Sequence, residues 1–203
     1  GALPAVEGDF AGLVTQNASG NKIDMFQRRA LHYKAIVDPA TGQVASTAKI
    51  TLHNDAPRTG LPHYVIGGSG ANPTADGDSR IYVSFYSPLA LQSARIGETP
   101  LVMQGAAELG RNVYSAMVLV PAQSSLTLTL KLEGTVTATG GDRGGYALTV
   151  WRQPTIKPDG VEIDVRAKNG SLTPGSGLRT VPAGLRGAGQ PAVTTRYVAH
   201  GVR

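Results

Sequence analysis

Two runs of strictly alternating apolar and polar residues, joined by a five-residue turn, constrain this chain more than any other feature. In the first run Leu31, Tyr33, Ala35 and Val37 fall on one side, with His32 and Lys34 on the other. In the second, Ala48, Ile50 and Leu52 alternate with Lys49, Thr51 and His53. A period of two belongs to an extended strand with one buried face. Between the runs, Asp38-Pro39-Ala40-Thr41-Gly42 offers a turn-starting carboxylate, a residue with φ already set and a glycine that accepts positive φ. That combination fits a type I turn closing through a bulge. Residues 29–62 are therefore expected to carry a β-hairpin on which further strands stack.

The same period returns along the chain. Ile81, Val83 and Phe85 alternate with Tyr82, Ser84 and Tyr86, and Leu126, Leu128, Leu130 and Leu132 alternate with Thr127, Thr129 and Lys131. Tyr146, Leu148 and Val150 share a face from which Trp151 points away, and Val161–Arg166 alternates again. Short strands are also expected at 64–66, 91–96 and 101–104. Residues 113–120 are apolar on both faces and suit a central strand covered twice. With 26 glycines and 13 prolines, long helices have little room. The fold class expected is all-β: a two-layer antiparallel β-sandwich of immunoglobulin or fibronectin type. It would occupy residues 29–167. Residues 1–28 read as an irregular lead-in packed on it, with a short strand or one helical turn at 21–26. Residues 168–203 read as a basic Gly/Pro-rich tail in which Ala192–Val198 alternates enough to add an edge strand.

Charge excludes one class of partner. The net charge of +5 lies entirely in the tail, where Lys168, Arg179, Arg186, Arg196 and Arg203 meet no acidic residue, leaving 14 basic and 14 acidic residues in the body. Single arginines among glycines make no groove-tracking patch, and 5% aromatic residues give few stacking platforms, so no nucleic-acid partner is expected. Zero cysteines exclude disulfides, thiolate zinc sites and cysteine nucleophiles. No apolar run spans a bilayer. The chain opens at Gly1 without signal peptide or initiator methionine and reads as a piece of something longer.

No catalytic residue, metal site or cofactor is assigned. The hairpin can bring His32 and His53 face to face, but a third metal ligand is missing. Asn72, Asp76 and Asp78 have the alternate oxygens of a calcium loop without its terminal bidentate acid, and a polar turn is the better reading. There is no nucleophile elbow and no phosphate loop. Two regions stand out as binding candidates. Tyr82, Tyr86 and Trp151, with Arg80, Arg111 and Arg152 nearby, would make an aromatic and cationic face suited to sugar rings or a protein partner. The competing expectation places some of these aromatics in the second sheet's core or at tyrosine-corner positions. The loop 55–80 holds eight Gly and Pro residues before Arg80 together with Asp55, Asp76 and Asp78, and long loops in compact domains are often functional.

Several runs together resemble one family: GNKIDMFQRR (20–29), TLHNDAPRTGLPHYVIG (51–67), IYVSFYSPLAL (81–91), ELGRNVYS (108–115) and GYALTVWRQPTIKPDGVEIDV (145–165). They are similar to the C-terminal part of the large actinobacterial envelope proteins classed as domain of unknown function 4012. The resemblance covers roughly residues 1–167 and carries no catalytic residue with it. It implies an outward-facing cell-envelope protein, anchored by a transmembrane helix and preceded by a larger domain. The function expected is a non-catalytic extracytoplasmic β-sandwich with a structural or binding role, its partner a cell-wall glycan or another envelope protein. The alternative is part of a cell-wall carbohydrate-active enzyme with its site in the 55–80 loop. A third is adhesion or oligomer formation through the Ala192–Val198 edge.

Overall fold

The structure is a computed structural model describing residues 7–68, 74–137 and 144–202. The Asn72 position of the calcium-like loop lies outside them. Alternation becomes strand wherever it was strict. Gln27–Val37 (β2) pairs antiparallel with Gln43–Asn54 (β3), and Leu31, Tyr33, Ala35 and Val37 are buried along one side. In the turn, Ala40 N–H donates to Asp38 Oδ1 at 3.0 Å, and Gly42 takes φ +72°.

Two sheets face one another across a single core. The seven-stranded sheet runs Ser171–Pro174 (β12), Thr195–Val202 (β15), Gly145–Arg152 (β10), Asp9–Asn17 (β1), Ser79–Ser87 (β4), Arg111–Val120 (β8) and Gln104–Glu108 (β7). The eight-stranded sheet runs Arg179–Val181 (β13), Gly184–Gly189 (β14), Gly160–Ala167 (β11), β2, β3, Ser124–Thr135 (β9), Ala90–Ile96 (β5) and Thr99–Pro100 (β6). Leu128, Leu130 and Leu132 of β9 are fully buried, each stabilising the fold by roughly 1.5–3 kcal/mol. Among the described residues, helix is confined to a 3₁₀ turn at Ile23–Phe26 and one α-helical turn at His63–Ile66.

The sheets are mixed, which corrects the antiparallel expectation. β1 runs parallel to β10, and β2 parallel to β11. Two of the chain's steps from the seven-stranded to the eight-stranded sheet, β1 to β2 and β10 to β11, lie side by side and run in the same direction. Alternation records which face is buried and is blind to the direction of the neighbouring strand.

Other differences have equally local causes. The lead-in contains β1, a central strand between β10 and β4; it is buried on both faces from Asp9 to Leu13, so it shows no alternation. Thr195–Val202 lies between β10 and β12 rather than at an edge. Residues 64–66 form the α-helical turn, following Pro62, which presets φ for a helix start. Residues 101–103 are irregular and carry the chain from β6 in one sheet to β7 in the other. β8 is not covered twice: Met117 and Leu119 on its outer face are 50% and 44% exposed.

A polar bolt crosses the core. Asp9 Oδ2 accepts from Tyr33 of the opposite sheet at 2.7 Å and from Tyr146 of β10 at 2.6 Å, while Oδ1 accepts from the Phe10 N–H at 2.7 Å. Burial pushes the Asp9 carboxyl up to about 6, against hydrogen bonds that favour the ionised form. Burial, and then the adjacent carboxylate, pushes both tyrosines well above their usual range.

Candidate functional site

The outer face of the seven-stranded sheet gathers five of the residues singled out in the sequence. On β4, Ile81, Val83 and Phe85 are buried inward, which turns Arg80, Tyr82 and Tyr86 outward by alternation. Arg111 starts β8 on the same side, and Trp151 of β10 lies opposite Gly12, which is itself opposite Tyr86. Trp151 and Tyr86 thus sit two strand spacings apart, about 10 Å, and Tyr82 lies about 13 Å along β4 from Tyr86. All five are part-exposed, so the competing core placement fails; the core tyrosines are Tyr33 and Tyr146.

Phe10 and Gly12 organise the middle of this face. The Phe10 ring lies across Gly12, so closely that a Cβ there would come within 2.8 Å of Phe10 Cε1. The Arg111 guanidinium covers that ring, 4.2 Å from its centroid, a cation–π contact. Partial burial holds the Arg111 guanidinium below its usual range. Tyr86 donates to Glu108 Oε2 at 2.9 Å and Tyr82 to Gln104 Oε1 at 3.5 Å, fixing both rings from β7. Burial and the neighbouring Glu108 raise the Tyr86 hydroxyl. Arg196 stands outward opposite Thr149. The result is a broad aromatic strip with three arginines along it and the exposed apolar pair Met117 and Leu119 beside Tyr82. Phe10, Gly12 and Arg196 escape sequence reading because β1 has no alternation and Arg196 lies in a Gly/Pro-rich stretch.

The three aspartates of the 55–80 region do not converge. Arg28 donates to Asp55 through two bonds of 2.6 and 2.8 Å, and Lys157 approaches at 3.6 Å. The Arg28 hydrogen bond holds Asp55 down to about 2. Asp76 pairs with His63 at 3.2 Å. Asp78 is buried, accepts from the Ala122 N–H at 2.9 Å and faces Arg58 at 3.4 Å. Beside them Asn54 is fully buried, donating to Gly77 and Val120 carbonyls, so this end of the hairpin is a structural latch. His32 does not face His53: it pairs with Asp164 at 2.8 Å, while His53 lies opposite Arg28. Among the described residues no cluster of three His, Cys, Asp or Glu side chains is placed to hold a metal.

A separate cleft of about 470 Å³ opens where the two parallel steps change sheets, lined by Thr15, Asp24, Gln27, Arg29, Gln153 and Lys157 among others. Its floor is built rather than vacant. Arg29 is buried and grips Asp159 with two bonds of 2.8 and 2.7 Å, donating also to Thr15 and Gln153. The Gln153 amide accepts from the Thr15 N–H and donates to the Thr15 carbonyl, so it continues the β1–β10 ladder one step beyond β10.

No protein-family model matches the chain, and no curated protein matches its sequence. Among solved structures, a Legionella pneumophila protein provisionally described as nutrient binding is similar in fold: TM-score 0.53 at 10% identity, over 95% of this chain and 71% of that one. At that identity the likeness is one of fold.

Proposed function

We propose that this chain is a non-catalytic, extracytoplasmic binding domain of a cell-envelope protein, whose site is the outer face of the seven-stranded sheet and whose partner is a cell-wall glycan. The observation that carries the reading is the exposure of Trp151, Tyr86 and Tyr82 on one sheet face, with two of the rings fixed through their hydroxyls. Sugar rings stack on aromatic faces at small entropic cost when those faces are already held. Arg80 and Arg196 would donate to hydroxyl or acidic substituents along the chain, while Arg111 keeps Phe10 covered. The envelope location rests on the resemblance of residues 1–167 to the actinobacterial family. The provisional description of the Legionella structure agrees with a binding role.

Titration of the purified chain with solubilised cell-wall glycan tests this. Trp151→Ala and Tyr86→Ala are each expected to weaken binding about tenfold, the effect of removing an anchor worth about 1.4 kcal/mol. Equal binding by all three proteins would remove the face as the site. Release of glycan fragments by the chain alone would overturn the non-catalytic reading.

A further inference from the structure

β7 is the longest of the four outermost strands of the two sheets among the described residues. The other three are short and carry features that discourage pairing: β6 is two residues ending in Pro100, β12 ends in Pro174, and β13 is three residues starting with Arg179. β7 is five residues, Gln-Gly-Ala-Ala-Glu, every one exposed and none of them Pro or Lys. It is joined to β8 by the two-residue turn Leu109-Gly110, with φ +51° and +76°, the signature of a type I′ hairpin. In such a hairpin Glu108 and Arg111 exchange both backbone hydrogen bonds, as do Ala106 and Val113 two residues on. The N–H and C=O groups of Gly105 and Ala107 therefore point outward, beside the smallest side chains of the strand.

The flanks of this strand carry a second, independent observation. Leu109 is 61% exposed and sits in the left-handed region, so a bulky apolar side chain is both strained and in water. At the other end Val102 is 90% exposed.

We propose that β7 pairs antiparallel with β7 of a second copy of this chain, about a two-fold axis through Ala106. In that register Gly105 of each copy exchanges both backbone hydrogen bonds with Ala107 of the other. The two Ala106 methyls meet where side chains approach most closely, and each Gln104 faces the other copy's Glu108. Gln104 still has its amide N–H groups and Glu108 its second carboxylate oxygen, because Tyr82 and Tyr86 occupy only one oxygen of each. Counting on from that register, Leu109 of one copy comes opposite Met103 of the other, one position from the exposed Val102, twice. The pairing is isologous and closes. It does not depend on glycan binding, although it would place two aromatic strips on one continuous sheet face.

Sedimentation equilibrium of the full chain up to about 1 mM, the weak end of specific pairing, tests the proposal. The expected result is reversible dimerisation. Ala106→Lys, at an exposed position, puts like charges opposite one another and should weaken the dimer at least about a hundredfold. An equimolar mixture of Ala106→Lys with Ala106→Glu should associate again. Gly105→Pro removes an outward N–H while sparing the ladder to β8, and should also yield monomer. A wild-type chain that stays monomeric throughout, or an Ala106→Lys chain that dimerises as well as wild type, overturns the proposal.

Discussion

The buried Asp9 carboxylate is the residue with the most legible chemistry. Its pKa is raised to about 6 in the folded chain, against 3.8 for an unperturbed aspartate. The folded state therefore holds the proton more tightly. Its contribution to stability is fullest below about pH 4 and is lost as pH rises through 6, a swing of about 3 kcal/mol. Asp55 has the opposite sign: held down to about 2, it contributes stability above its unfolded pKa that is lost as pH falls toward 2. Urea midpoints should thus rise from pH 7 to about 4.5 and fall below about 4. In Asp9→Asn the rise should flatten; an unchanged slope in that variant would remove Asp9 as its source. Arg29 gives a second test. Arg29→Met leaves Asp159 buried without its cation and should cost about 3–5 kcal/mol, largely recovered in Arg29→Met/Asp159→Leu. A loss under 1 kcal/mol by chemical denaturation, roughly that of an exposed pair, would show the cleft floor to be solvated. Neither residue was foreseeable. A lone carboxylate or arginine in a sequence reads as solvent-facing, and only the partners Tyr33, Tyr146 and Asp159, each more than 20 positions away, make burial tolerable. Tyr82, Tyr86 and Trp151 were legible as a set because each stands one position out of phase with a buried apolar series.

At the scale of elements, β2, β3, β4, β9 and β11 were written in the sequence by alternation, and their covered faces are those the alternation marks. β1 and β8 were not. β1 is central and buried on both faces, so its residues Phe10-Ala11-Gly12-Leu13 carry no period. β8 has apolar residues on both faces, yet Met117 and Leu119 face solvent. Apolar content on a second face signals contact with something, and within this chain that something is absent among the described residues. The β7–β8 turn supports a prediction of its own. Type I′ turns favour Asn-Gly, so Leu109→Asn should relieve left-handed strain and stabilise the chain by about 1 kcal/mol, visible as a melting temperature a few degrees higher. The same substitution should weaken self-association. A lower melting temperature would show that Leu109 packs within its own chain, and the case for an intermolecular role would fall with it.

The whole molecule has no detachable tail. Leu185 and Tyr197 are buried at 3% and 5% exposure and Ala199 completely; all belong to the same core as Leu128 and Phe85. A chain ending at residue 168 would lose β12 to β15, and with β15 the partner of one side of β10. It is expected to lose its cooperative thermal transition, read by near-ultraviolet circular dichroism. A sharp transition near that of the full chain would show residues 171–202 to be dispensable. The Gly/Pro-rich composition concealed β12, β13 and β14 because they are short and partly at edges, where propensity and alternation are weakest, whereas the alternation at Ala192–Val198 marked part of β15. The mixed direction of the sheets was concealed for a different reason, since residue pattern has no polarity.

The parallel pairing of early strands with late ones also sets an order in time. Asp9 has Leu148 as its partner and Ala30 has Gly160, so two central strands must wait for partners made well over a hundred residues later. Contacts across so many residues demand a large loop-closure entropy before they return any stabilisation, and chains dominated by them fold slowly. Until β10 and β11 have left the ribosome, β1 and β2 would be unpartnered on one side. Such a chain keeps two central strand edges open for longer than one built from successive hairpins, and those edges are what a chaperone can capture before the sheets close.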